Sequence, residues 1–239
     1  MIGEKRLLAI IPARGGSKRL PRKNILYLEG KPLIAWTIKA ALKSKYIDRV
    51  VVSTDDDEIA EISKKYGADV PFIRPDELST DEASSVDTII YTLDKLKQQN
   101  DNYHYIVLLQ PTSPLRTYKH INNAVKIMQG SKALSVISVA EATHNSIWCN
   151  QLGDNNDLSE FINLGYKNKR SQDLPKQYCL NGAIYLCEVS SFIKQHGFFL
   201  ENRCCAFEMD KESSIDIDDK IDFQLAEVLI NNIQNTGGD

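Results

Sequence analysis

The sequence predicts an α/β fold: a mostly parallel, doubly wound sheet with helices on both faces and a small inserted arm. Short β-branched runs alternate with longer stretches of helical period, the signature of repeated β-α-β units. The first strand empties into a Gly-rich basic loop, the place where open α/β sheets take their ligands. After Val139 the rhythm breaks, which predicts the arm.

In chain order, residues 7–11 read as a buried strand and 33–43 as a helix through Ile34, Ile38 and Ala41. Residues 50–53 form the next strand. Ile59, Ile62 and Tyr66 mark a helix capped by Asp55 or Asp56 and stopped at Gly67. Residues 69–73 follow as a strand, and Val86, Ile89, Ile90, Leu93 and Leu96 give a helical stripe. Residues 105–109 are strand, 117–129 a helix ending at Gly130, and 134–139 strand. The polar stretch 141–170, with Gly153-Asp154-Asn155-Asn156-Asp157 and scattered apolar residues, reads as an arm used for association. Strands at 183–187 and 204–209, a short helix at 190–195 and a closing helix at 220–233 complete the chain. The main α/β domain thus takes 1–140 and 171–239, and the arm 141–170.

The 239 residues carry 29 Lys+Arg against 32 Asp+Glu, a net charge of −3, and 42% hydrophobic residues, which excludes disordered and collagen-like chains. So slight an acidic balance offers no general attraction for polyanions, and no nucleic-acid partner is expected. The early apolar run 7–11 falls far below the roughly 20 residues that cross a bilayer, so neither a membrane span nor a leader is expected. Five cysteines without a C-x-x-C pair predict a reduced, cytoplasmic protein rather than a disulfide framework or zinc site.

The most informative segment is Ile11-Pro12-Ala13-Arg14-Gly15-Gly16-Ser17-Lys18-Arg19-Leu20-Pro21-Arg22-Lys23-Asn24. Its glycines allow close backbone approach and its five cations (Arg14, Lys18, Arg19, Arg22, Lys23) can neutralise charge, the parts of a polyphosphate cradle. It matches neither the P-loop nor G-x-G-x-x-G, and a solvated basic loop beside a Gly turn is the plainer alternative. Gln110-Pro111-Thr112-Ser113-Pro114 makes a stiff loop after an apolar strand, useful for binding or simply a Pro-rich turn. Ser214-Ile215-Asp216-Ile217-Asp218 alternates with period two, placing Asp216 and Asp218 on one face. Paired carboxylates repel unless a cation lies between them, and hard oxygens suit Mg²⁺; an acidic helix cap is the alternative, and fits Asp219.

The loop closely resembles the N-terminal signature of the cytidylyltransferases that act on nine-carbon 2-keto sugar acids, the CMP-sialic acid synthetases. Four further segments agree in order: Phe72-Ile73-Arg74-Pro75-Asp76-Glu77-Leu78 with Asp81-Glu82-Ala83-Ser84-Ser85; Leu108-Leu109-Gln110-Pro111-Thr112-Ser113-Pro114-Leu115-Arg116; Asn181-Gly182-Ala183-Ile184-Tyr185; and residues 214–218. The resemblance implies a Rossmann-like nucleotidyltransferase sheet with a dimerisation arm. It implies nucleotide binding by Ala13, Arg14, Gly15, Gly16, Ser17, Lys23 and Asn24, with Arg14 and Lys23 catalytic on the CTP triphosphate. Arg74 and Ser84 would meet the cytosine, although Arg74 reads equally as a solvated or helix-pairing arginine. Gln110, Asn181 and Tyr185 would line the sugar pocket. Phe198 and Phe199 would be lent to that pocket across a homodimer, unless they are core residues. Asp216 and Asp218 would hold Mg²⁺. The departures fall on the sugar side: Ser171 stands where sialic acid enzymes often carry arginine, Cys179 replaces a cationic or polar residue, and His144-Asn145-Ser146-Ile147-Trp148-Cys149 lacks a lysine and looks more like members acting on legionaminic acid.

The expected reaction joins CTP and N-acetylneuraminic or legionaminic acid into CMP-sugar and pyrophosphate. The alternatives are a metal-dependent glycosyltransferase reading Asp216-Ile217-Asp218 as a D-x-D motif, and a CTP-binding module without turnover.

Overall fold

The computed structural model describes residues 2–80, 82–162, 164–166 and 169–235. Asp81 and the arm positions 163, 167 and 168 lie outside them.

The strands are β1 (Leu7–Pro12), β2 (Tyr27–Leu28), β3 (Lys31–Pro32), β4 (Arg49–Ser53), β5 (Tyr105–Leu108), β6 (Ser135–Glu141), β7 (Tyr178–Glu188) and β8 (Cys204–Met209). The helices are α1 (Leu33–Leu42), α2 (Asp57–Lys65), α3 (Ser85–Gln98), α4 (Tyr118–Ser131), α5 (Val189–Gln195) and α6 (Lys220–Asn235). A six-stranded sheet runs β4-β1-β5-β7-β6-β8; β7 is antiparallel to both neighbours and the other pairings are parallel, while β2 and β3 form a separate small hairpin.

β1 shows why the sheet is central. Leu7, Ala9 and Ile11 pack with α1, α2 and α4 residues such as Ile38, Ile59 and Ile121, whereas Leu8 and Ile10 pack with Ile89, Leu93 and Leu96 of α3 and Phe192 of α5. Both faces of a six-residue apolar strand are therefore covered. Each buried Leu or Ile contributes roughly 1.5–3 kcal/mol. A third cluster joins Leu28 and Leu33 to Ile217, Ala226 and Ile230, and so seats α6.

Local signals set the boundaries. Asp56 caps α2 by accepting from the Ile59 amide at 2.9 Å, and Gly67, at φ +96, provides the left-handed stop. Three sequence expectations need correction. Residues 69–73 are not a strand: Asp69 makes a single bridge to Val51, and Pro71, which lacks an N–H, follows at once. The fourth helix passes through Gly130 to Ser131 and turns off at Lys132, at φ 57. The strand expected at 183–187 is the long β7, whose first half, Tyr178 to Leu180, is exposed and carries no apolar alternation to read.

The arm is not itself a hairpin among the described residues. Short 3₁₀ turns occupy it, and the antiparallel pairing lies at its base, where Glu141 faces Tyr178 and the Ala142 amide donates to Gln177 O. Residues 149–160 are all exposed, including Leu152 and Leu158. Ile147, Trp148 and Phe161 of the arm are half-buried on their own chain.

Candidate active site

The loop leaving β1 is held from below. The Ala13 amide donates to Ser53 O at the end of β4, and the Gly15 amide donates to Asp55 Oδ1 at 3.1 Å. Gly15 is needed here, because a Cβ would stand 2.7 Å from Asp56 Oδ2. At Gly16 a Cβ would meet nothing within 4 Å, so close packing does not explain that glycine. Arg22 takes a left-handed φ of 56 and turns away from the cradle to pair with Asp56 and Glu58 at the start of α2. Its role is to tie the loop down, which corrects its place among the five cradle cations.

The others reach a cleft of about 520 Å³ lined by Arg14, Ser17, Lys18, Arg19, Lys23, Asn24, Arg74, Gln110, Asp216 and Asp218 among others. It opens beyond the carboxyl ends of β1 and β5, as an open α/β sheet predicts. Asn24 is buried and donates from Nδ2 to Arg14 O at 3.0 Å, fixing the loop's curvature; Arg14 Nη1 reaches Thr80 O across the cleft at 3.1 Å. Lys23 Nζ donates to Ile217 O at 2.6 Å and meets Asp218 Oδ1 at 3.2 Å, and Arg19 meets Asp218 Oδ2 at 3.0 Å. Asp218 thus sits between two cations. Arg74 is 4% exposed, donating from Nε to Ser79 Oγ at 3.1 Å with Asp55 at 3.6 Å. Burial holds its pKa below the usual guanidinium value, Asp55 partly offsets this, and the nearby charge of Arg14 adds to the lowering. Two arginines that repel across a cleft are relieved by an anion between them.

Opposite lie the carboxylates. The Ile217 amide donates to Thr112 O at 2.8 Å, which fixes the 215–218 segment in register, with Ile217 fully buried and Asp216 and Asp218 both facing the cleft. Asp216 opens to the cleft on one side, yet burial raises its carboxyl pKa, and the like charge of Asp218 raises it further despite the Thr112 hydrogen bond. The like charge of Asp218 acting on Asp216 is of the kind that a divalent cation between them would offset. Among the described residues no cluster of three or more acidic, His or Cys side chains forms a metal cage; the two carboxylates are hard oxygen donors of the kind Mg²⁺ takes alongside waters and phosphate oxygens.

The remaining expected residues divide. Gln110 lines the cleft. Ser84 caps α3 by accepting from the Val86 amide, and its neighbours Ser85 and Thr88 line the cleft instead. Asn181 lies behind the wall: its amide engages Ser138 at 2.6 Å and Ser214 at 2.9 Å, so it braces the 214–218 segment rather than facing ligand. Tyr185 is half-buried with its pKa raised by burial and, secondarily, by the charge of Asp216, and it is not among the residues lining the cleft. Phe198 is core, its ring 4.8 Å from Phe192 and 5.4 Å from Tyr185, because an apolar ring closing α5 onto the sheet has no reason to face water. Phe199, by contrast, is 62% exposed. Thr80, Ser85, Thr88 and Thr112 line the cleft but were not assigned roles in the sequence, nor was Arg116 behind it; Ser85, Thr112 and Arg116 stood inside the quoted motifs, whereas Thr80 and Thr88 carried no such signal.

A basic cleft at the carboxyl ends of parallel strands, faced by paired carboxylates, is equipment for handling nucleotide phosphates. The chain belongs to the cytidylyltransferase family, whose model matches residues 8–160. It is 40% identical over 232 residues to CMP-N,N'-diacetyllegionaminic acid synthase of Legionella pneumophila, covering 94% of this chain and 96% of that one. It is 42% identical over 222 residues to N-acylneuraminate cytidylyltransferase of Escherichia coli O18:K1:H7, covering 92% of this chain but 51% of that longer protein. A solved CMP:2-keto-3-deoxy-manno-octonic acid synthetase complexed with CTP superposes with a TM-score of 0.68 at 17% identity, covering 95% of this chain and 99% of the other; that likeness shows the shared fold.

Proposed function

We propose that this enzyme transfers the CMP group of CTP to a nine-carbon 2-keto sugar acid, giving CMP-sugar and pyrophosphate. The observation that carries this is the single cleft in which Arg14, Lys23 and Arg74 face Asp216 and Asp218 beside Gln110. The sugar's anomeric hydroxyl attacks the α-phosphorus in line and pyrophosphate leaves. Arg14 and Lys23 hold the phosphates, and their fixed charges offset the charge that builds on the leaving group. Lys23 changes partners on binding, leaving Asp218 for phosphate oxygen. Asp216 and Asp218 would hold Mg²⁺, which when bound supplies positive charge beside the triphosphate. Arg74 and the Ser84–Ser85 helix start take the base, and Gln110 the sugar.

Legionaminic acid is the favoured sugar, supported by the resemblance of residues 144–149 and by the Legionella relative. A homodimer joined through the arm is supported by the exposed Leu152, Leu158, Tyr178 and Leu180. A reducing, cytoplasmic setting agrees with five free cysteines, one of which, Cys187, has its thiol pKa pushed up to about 12 by burial; no described helix is long and apolar enough to cross a membrane.

The test is pyrophosphate release with CTP and a panel of sialic, legionaminic, pseudaminic and 3-deoxy-octulosonic acids, products identified by mass. CMP-legionaminate as the dominant product is expected. Hydrolysis or transfer from a nucleotide sugar without pyrophosphate release would instead support a glycosyltransferase, and CTP binding without product a binding module.

A further inference from the structure

Arg116 lies inside the protein, 1% exposed, between the loop after β5, helix α1 and strand β7. Its Nη1 donates to Gln110 O at 3.1 Å and Ala183 O at 3.0 Å, and its Nη2 to Thr37 Oγ1 at 2.5 Å. Nε meets no acceptor, and among the described residues no carboxylate balances the charge. Burial lowers the guanidinium pKa to about 9, which leaves it cationic at neutral pH. An unbalanced buried cation works against folding, and an apolar side chain of similar volume would avoid that penalty. Its retention therefore calls for a use.

What the donors touch supplies one. The Gln110 carbonyl is gripped twice, by Arg116 and by Thr37 Oγ1 at 3.3 Å, while the side chain of the same residue lies against β7. Next to Ala183 is Gly182, at φ +71, where an added Cβ would come within 2.6 Å of Gln110 Oε1 and 3.5 Å of Asp216 Oδ2. One guanidinium thus sets the spacing between Gln110 and Gly182, and so the aim of the Gln110 amide into the cleft. It also stands a positive charge one peptide behind that part of the wall, where low dielectric preserves its reach.

We propose that Arg116 is the positioning residue of the sugar-acid side of the cleft, holding Gln110 in place against Gly182 and biasing that wall toward an anionic sugar. This rests on Gln110 being the sugar contact.

The test compares KM for CTP and KM for the sugar acid in the wild type, Arg116→Met, Arg116→Lys and Gln110→Ala. Arg116→Met is expected to raise the sugar-acid KM about tenfold, as for loss of a hydrogen bond to a charged group, and to leave the CTP KM within about twofold. Arg116→Lys keeps the charge but not the fork, and falls between. Both KM values rising together, or a fall in kcat alone, would mean general structural support and would overturn the proposal. If circular dichroism shows Arg116→Met unfolded, Arg116→Lys and Thr37→Val carry the decision, the latter removing the second grip on Gln110. Sugar-acid KM unchanged in both overturns it. A Gln110→Ala variant with unchanged sugar-acid KM removes the subsite reading itself; a raised value there with none in the Arg116 variants removes only the role of Arg116.

Discussion

At the residue scale the cleft is held ready by exchangeable pairs. Lys23 is bonded to Ile217 O and Asp218, and Arg19 shares the same carboxylate, with Asp218 itself half exposed. Such screened pairs contribute about 0–1 kcal/mol, so their loss affects binding more than folding. Lys23→Ala and Arg14→Ala should therefore each lower turnover about 100-fold or more while the unfolding midpoint by circular dichroism stays close to wild type. Near-wild-type activity in either variant, with the protein folded, contradicts the phosphate assignment. Asp218→Asn should weaken activity at fixed Mg²⁺ and recover partly as Mg²⁺ is raised; activity that ignores divalent ions and persists in EDTA would sink the metal assignment. The residues legible in the sequence were those whose neighbours in the chain reveal their chemistry: the cations of the Gly-rich loop and the alternating aspartates. Thr80 and Arg116 were not, because what they touch is remote in sequence, as with Arg14 and Thr80 or Arg116 and Ala183. For Phe198 both readings stayed open, because the sequence alone does not separate a pocket aromatic from a core one.

At the element scale, the end of the sheet away from the cleft is closed by a charged cluster. Asp101, just after α3, accepts from Arg6 at 2.6 Å beside β1, from Arg49 at 2.6 Å on β4 and from the Tyr103 hydroxyl at 2.7 Å. These three partners hold the Asp101 carboxyl below its usual pKa against the opposing effect of burial, and Tyr103 is pushed up to about 12, chiefly by burial. A depressed carboxylate contributes stability that is present above its unfolded pKa and lost as pH falls through the folded value. Asp101→Asn should thus lose about 2 kcal/mol at neutral pH by urea unfolding, and the gap to wild type should close below about pH 4. A gap that is constant with pH would show that packing, not charge, is lost. Elements were legible wherever burial on one or both faces imposed a period, as in β1 and α3. The lower half of β7 escaped because its first residues are exposed on a sheet extension and obey no such period, and the end of α4 escaped because a helix tolerates one glycine.

For the whole molecule, the exposed arm predicts association. A twofold contact would cover Leu152 and Leu158 together with Tyr178 and Leu180, each copy using one set of residues twice. Phe199, left at 62% exposure, is free to enter a partner's cleft. Mixing Lys23→Ala protein with Phe199→Ala protein should then restore about a quarter of the sites, since half the dimers are mixed and half of their clefts are whole. A monomer that is fully active in sedimentation at assay concentration would sink this arrangement. The sheet order also has a consequence for synthesis. β7 fills the space between β5 and β6, yet it is made after both. A nascent chain that has emerged only through the arm holds β4-β1-β5 as one patch and β6 apart from it, each with an open edge and an uncovered apolar face. At about 5–20 residues per second that state lasts a second or more, long enough for a chaperone or another nascent chain to find the edge. Stalling translation inside the arm should therefore yield a trigger for aggregation, which release of the next few dozen residues removes.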